Sequence, residues 1–207
     1  MIITYYGLTC FKVQSGETAL LLDPFSKESG ITPPRFQADV TLANSFQHGN
    51  GESEGANGDT LVITGPGEYE TKGIVIDGIA AGGSTIYIIE WDGVRLCHLG
   101  TAQEKAFTDE VLGLIGTPDV LFVPVGGGNS LAADEASALV NQIEPRIIIP
   151  MYYKTAGLKT PLLESPDKFI AEFGEGVAPQ EKFTFKFKDL PQEGAQLVYL
   201  EPITGQK

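Results

Sequence analysis

The apolar residues of this chain change their spacing part-way along it, and that change limits the folds open to it. Over roughly the first hundred residues they form short apolar and β-branched runs at 2–6, 10–14, 18–23, 39–43, 61–64, 73–77, 85–91 and 94–99. Gly7, the Gln14-Ser15-Gly16-Glu17 turn and Asp92-Gly93 punctuate them. Runs of this length between turn residues read as strands, and Asp-Gly is a favoured two-residue hairpin connection. Beyond that point the period lengthens. Phe107, Val111, Leu114 and Ile115 share one helical face, and Ala132, Ala136, Leu139, Val140 and Ile143 repeat the spacing. Strands are expected after each helix, at 120–123 and 146–149. Ser165-Pro166-Asp167 opens a third helix with Phe169, Ile170 and Phe173 inward, and strands at 183–187 and 196–200 close the chain. Strands first, then helix–strand alternation, call for two sheets with helices on their outer faces, a layered α/β sandwich. Nothing in 207 residues demands a second unit, so residues 1–207 are expected to form a single domain.

Composition narrows the functions. Fourteen Lys and Arg against 27 Asp and Glu leave a net charge of −13, which repels phosphate backbones and anionic headgroups. Nucleic acid and membrane surfaces are therefore poor partners. The acidity is concentrated at −5 over residues 51–80 and −6 over 81–150, as expected of a solvated face. No apolar run approaches the ~18 residues of a membrane span, and the opening residues read as a strand rather than a leader. Cys10 and Cys97 are the only cysteines, too few for a disulfide framework, so a reducing compartment, the cytoplasm, is expected. They also exclude a CxxC zinc site. His48 and His98 are the only histidines, which excludes any site needing three. Residues 47–59 are rich in Gly, Asn and Glu and read as a loop, where sites on a β framework sit.

Several segments, in order, resemble the metallo-β-lactamase superfamily, in its ascorbate-6-phosphate-lactonase-like branch. They are Ile3-Thr4-Tyr5-Tyr6-Gly7-Leu8-Thr9-Cys10-Phe11, Leu21-Leu22-Asp23-Pro24, Gly65-Pro66-Gly67-Glu68-Tyr69-Glu70, Cys97-His98-Leu99-Gly100, Val123-Pro124-Val125-Gly126-Gly127 and Ile149-Pro150-Met151-Tyr152-Tyr153-Lys154-Thr155. The resemblance covers about residues 1 to 175 and implies a four-layer αββα sandwich. It also implies one or two divalent metals on a His-x-His-x-Asp-His loop, a further His, a bridging Asp and a last His. Imidazole and carboxylate suit zinc or manganese, which lower the pKa of a bound water toward neutrality.

This chain departs from that pattern at each ligand. Aligned without gaps, Ser45, Gln47, Gly49 and Asn50 fall where His, His, Asp and His are expected. A two-residue gap would set His48 on the last of these, with Gln47 still in place of the Asp. The third-ligand region reads Ala80-Ala81-Gly82-Gly83. Thr101 stands for the bridging Asp, Tyr152 for the last His, and Leu8 for the early His. An Asp left without its dication would carry an uncompensated buried charge, whereas these replacements are neutral and can satisfy one another or water. The expected pocket is Ser45, Gln47, His48, Asn50, Thr101 and Tyr152, with no metal, no cofactor and no catalytic residue.

Other motifs carry less. Cys97 and His98 are neighbours on a strand and point to opposite faces, so they form no dyad, and Cys10 reads as a buried structural thiol. No Gly-x-Ser-x-Gly elbow occurs. Gly126-Gly127-Gly128-Asn129-Ser130 sits between a strand and a helix, where amides can face an anion, but matches neither phosphate-binding fingerprint. The expected function is a metal-free, non-catalytic member of the superfamily that binds a small molecule or a protein partner on the former active-site face. The alternative is a divalent-metal-dependent hydrolase of a small ester, lactone or phosphorylated substrate with an atypical metal site, drawing on His48, Asp23, Glu68 or the acidic loop. Assembly with copies of itself is a third role the composition leaves open.

Overall fold

The short runs of the first half pair as their patterning predicts. The computed structural model describes residues 1–44, 60–81, 84–104, 107–159, 162–173 and 176–203. One sheet has the order β12-β1-β2-β3-β4-β5, from β1 (Ile2–Gly7), β2 (Cys10–Ser15), β3 (Thr18–Leu22), β4 (Val40–Leu42), β5 (Leu61–Ile63) and the short β12 (Phe183–Thr184). The other has the order β13-β11-β10-β9-β8-β7-β6, from β6 (Gly67–Thr71), β7 (Ile74–Ala81), β8 (Ser84–Trp91), β9 (Val94–His98), β10 (Val120–Pro124), β11 (Ile147–Met151) and β13 (Gln196–Leu197). Helices α1 (Asp109–Ile115), α2 (Ala133–Ile143) and α3 (Asp167–Phe173) follow β9, β10 and β11. With α2 packed on β10, and α3 on β13 and α2, the molecule is the expected α/β sandwich.

Strand direction decides where a site can lie. β1, β2 and β3 are antiparallel hairpin partners, and so are β6 to β9. β3, β4 and β5 are parallel, as are β9, β10, β11 and β13. Parallel neighbours need crossovers, so their C-terminal ends gather on one rim, where open α/β sheets bind ligands. β10 is buried on both faces throughout, which explains its unbroken apolar run Val-Leu-Phe-Val. Between the sheets, the Phe11 ring lies 4.6 Å from Tyr5 in its own sheet and 4.6 Å from Phe122 in the other. Each such aromatic contact adds about 1 kcal/mol to the burial itself.

Four details differ from the sequence expectation. The strand expected over 183–187 stops at Thr184, because Asp189 accepts from the Lys186 amide at 3.0 Å and favours a 3₁₀ turn, Phe187–Asp189. The closing strand expected over 196–200 shortens to Gln196–Leu197, with an isolated bridge at Leu200. Leu114, expected inward, is 51% exposed, since α1 is seven residues long and within it only Ile115 is buried, the buried Phe107 lying before the helix. Gly67–Thr71, with two Glu, is an edge strand that pairs with β7 despite its poor strand composition. No helix among the described residues is long and apolar enough to cross a membrane.

Candidate functional site

The rim of C-terminal strand ends carries the polar cluster of the fold. Asp23 follows β3, Asn44 lies just beyond β4, Gly100-Thr101 just beyond β9, Gly126 just beyond β10, and Tyr152 follows β11. Leu8, in the β1–β2 turn, completes it, for its carbonyl accepts from the Tyr152 amide at 2.7 Å. Leu8, Asp23 and Tyr152 all hold positive φ, at 54°, 41° and 52°. Asp tolerates that region, but a leucine and a tyrosine there are strained, by about 1 kcal/mol or more each. Non-glycine residues in such conformations cluster at functional sites, because only the surrounding structure can hold them.

Asp23 and Asn44 link the sheets. Asp23 Oδ1 accepts from the Asn44 amide at 2.9 Å. The Asn44 side-chain amide donates to Ser84 Oγ and, at 3.5 Å, to the Thr85 carbonyl, both at the start of β8. Asn44 Oδ1 is buried and accepts no hydrogen bond from the described residues. Gly100 passes this group so closely that a Cβ there would lie 2.7 Å from Ser84 Oγ and 3.0 Å from Asn44 Nδ2. Glycine is required at that position by contact as well as by its φ of 58°.

His98 is fully buried between Phe11 and Phe122. Its Nε2 lies 2.8 Å from the Thr9 carbonyl, so Nε2 carries the proton. Nδ1 then accepts from the Gly100 amide at 3.3 Å and stands 3.9 Å from Asp23 Oδ2. Burial lowers the pKa of the ring, against smaller raising effects of Asp23 and the Thr9 carbonyl. His98 is therefore neutral and engaged at both nitrogens. The thiols are inert: burial, helped by Asp23, pushes Cys10 well up, and burial pushes Cys97 up to about 12. Burial also raises the Tyr152 hydroxyl.

Of the six expected pocket residues, Thr101 and Tyr152 lie on this rim, both buried. Register places them level, each three residues beyond the pairs Phe122–His98 and Phe122–Ile149. Ser45, Gln47, His48 and Asn50 lie outside the described residues. Asn44 and Ser84 belong to this cluster without standing in any of the motif positions named above. The available signal was an Asn directly after an apolar strand, where a side-chain amide is otherwise costly to bury. The glycine-rich turn after β10 is no anion cradle: the amides of Gly126, Gly127 and Ser130 donate to the carbonyls of Tyr152, Leu131 and Gly127.

A family model described as the Beta-lactamase superfamily domain matches residues 2–152. The chain belongs to that family. UPF0173 metal-dependent hydrolase MK1542 of Methanopyrus kandleri is 25% identical over 219 residues, spanning 84% of this chain and 92% of that protein. UPF0173 metal-dependent hydrolase lmo1577 of Listeria monocytogenes is 21% identical over 224 residues, or 86% and 95%. Among solved structures, a candidate Zn-dependent hydrolase of the metallo-β-lactamase superfamily from Thermotoga maritima has a TM-score of 0.81 at 29% identity, covering 97% of this chain and all of that one. Igni18, a metallo hydrolase of Ignicoccus hospitalis, shares the fold with a TM-score of 0.63 at 18% identity, covering 89% and 99%.

The names of these relatives imply a divalent metal, and the donors on this rim can be tested against one. A zinc or manganese centre needs three or more imidazole, thiolate or carboxylate ligands converging on a point. Among the described residues no three His, Cys, Asp or Glu side chains do so. Asp23 holds the Asn44 amide and His98 has no free nitrogen. Thr101 and Tyr152 supply neutral hydroxyls, poor ligands for such ions. The donor set of the described rim does not fit the metal.

Proposed function

We propose that this member of the metallo-β-lactamase superfamily is metal-free and non-catalytic, and binds a small molecule or a protein partner at the rim of its C-terminal strand ends. The observation that carries this reading is the chemistry of that rim. Hydroxyls stand at Thr101 and Tyr152, and the nearby imidazole of His98 is tied to the Thr9 carbonyl and the Gly100 amide. Asn44 Oδ1, which accepts no hydrogen bond from the described residues, adds an acceptor in the same cluster for a donor-bearing ligand. Two buried free cysteines suit a reducing cytoplasm.

The names of the relatives favour a second reading, a divalent-metal-dependent hydrolase of a small ester, lactone or phosphorylated substrate with an atypical ligand set. That set would draw on His48 and its neighbours, outside the described residues. Metal content separates the two. Full-length protein is expressed with added zinc and manganese, desalted, and measured by plasma mass spectrometry. The first reading expects a stoichiometry near zero and no turnover in ester and lactone screens. One metal or more per chain, with turnover lost on chelation, establishes the second. Mass in solution tests self-assembly separately.

A further inference from the structure

The opposite ends of the same parallel strands frame a cleft that the rim does not share. It lies where β10, β11 and β13 begin, encloses about 460 Å³, and has Arg146 in its wall. That volume falls in the range of roughly 300–1,000 Å³ usual for small-molecule sites. Val140 of α2 and Phe173 of α3 form apolar wall, and Thr117, Asn141 and Gln192 bring neutral hydrogen-bonding groups.

Arg146 is held from two sides. Its Nη1 is 3.2 Å from Asp119 Oδ1, and its guanidinium sits over the Phe187 ring at 5.8 Å. The ion pair has the distance of a hydrogen bond without its angles, since the buried Nη1 finds no hydrogen-bond acceptor among the described residues. Among the described residues no oxygen accepts a hydrogen bond from this guanidinium, although an arginine carries five N–H donors. The group is thus fixed in place, one-third exposed, with donors unused.

We propose that this cleft is a second binding site, in which Arg146 takes the carboxylate of a small organic acid whose apolar body lies against Val140 and Phe173. A planar monoanion matches the guanidinium fork, which pairs two N–H groups with two oxygens. Charge sets the choice of ligand. Among the described lining residues Arg146 is the single cation, Asp119 already balances it in part, and Glu144 lines the same cleft. A phosphate dianion would be left undercompensated in a protein of net charge −13. A neutral amide would leave the fork half satisfied.

The test uses the full ¹⁵N-labelled chain, titrated separately with 3-phenylpropionate, 3-phenylpropanamide and inorganic phosphate. The acid should shift the amides of Thr117, Asn141 and Gly194 at millimolar concentration, and the amide and phosphate should bind roughly ten-fold more weakly or worse. Arg146→Gln should weaken the acid by about the same factor, and Arg146→Lys, which keeps the charge and loses the fork, by somewhat less. Because Arg146 also meets Asp119, Ala195→Trp serves as a second variant: it fills the cleft from an exposed loop position and should abolish binding with melting unchanged. The proposal is overturned by equal binding of acid and amide, by phosphate binding as tightly as the acid, by unaltered affinity in Arg146→Gln or Ala195→Trp, by shifts confined to Thr101 and Tyr152, or by no shift at all.

Discussion

At their C-terminal ends β9, β10 and β11 run into Gly100, Gly126 and the left-handed Tyr152, whereas at their N-terminal ends they meet Arg95, Asp119 and Arg146. The charged end is ordinary. Asp119 accepts from the Arg95 amide at 2.8 Å and pairs with Arg146, and Arg95 donates to the Ile115 and Leu114 carbonyls at 3.0 and 2.8 Å, closing the last turn of α1. The Arg146–Asp119 pair, with the arginine one-third exposed and no hydrogen-bond angles, contributes about 1 kcal/mol or less. The other end is built from close backbone approach, strained φ values and buried neutral polar groups, so it tolerates little. A sheet whose two ends differ this way has its shape fixed at one rim and its charge displayed at the other.

The same substitution at the two ends should expose that contrast. A Cβ on Gly126 would lie 2.3 Å from the Tyr152 carbonyl oxygen and 2.7 Å from the Tyr153 Cα, backbone atoms that can yield only if β10 and β11 separate. Gly126→Ala should cost about 3 kcal/mol or more, at the upper end for overpacking. Gly194, in the loop before β13, has φ 71° and nothing within 4 Å of its Cβ position. Gly194→Ala should cost about 1 kcal/mol, the backbone strain alone. Urea midpoints of the two variants measure the difference, and equal losses would break the comparison.

A smaller effect belongs to the rim alone. Native His98 resists protonation because it is buried, while the unfolded chain protonates it near its ordinary value. Below about pH 6.5 the unfolded state therefore binds more protons than the native one, and stability falls with falling pH until the depressed native pKa is reached. The slope is at most about 1.4 kcal/mol per pH unit. His98→Gln keeps a donor for the Thr9 carbonyl and has no charge to gain, so its slope between pH 6.5 and 5 should be flatter. Asp39, held low by Lys72, has the same sign in a lower window: its contribution is lost only as pH falls below the ordinary carboxylate range. Parallel wild-type and His98→Gln profiles through that window would show that His98 is not the buried neutral base described.

Much of the sandwich was legible because its signals are local. The Asp92-Gly93 hairpin, the helical face of α2 and the unbroken apolar run of β10 each state their geometry within a few residues. The missed β6 and the shortened β12 depend on what pairs beside them, which spacing does not encode. The site was legible in part. Thr101 and Tyr152 could be placed on the rim from motif position, but Asn44 joins it only through Asp23 and Ser84, from strands distant in the chain. Strain at Leu8 and Tyr152 left no trace in composition, since both residues look like ordinary core.

The smallest expected effect is a gain at the charged end. Glu144 closes α2 in the left-handed region, φ 54° and ψ 53°, and its amide donates to the Val140 carbonyl at 2.9 Å. A glutamate there carries backbone strain and places negative charge at the negative end of the helix dipole. Glu144→Gly removes both, against the greater freedom glycine gives the unfolded chain, for a net gain of about 0.5 kcal/mol. That is roughly 1–2 °C in melting temperature for a chain of this size. Glu144→Asn separates the causes, because asparagine accepts the left-handed region and lacks the charge without adding glycine's flexibility. If Asn and Gly gain alike, strain and charge account for the effect. If neither gains, the charged end holds no relievable strain, and the contrast between the two ends is sharper than the conformation of Glu144 implies.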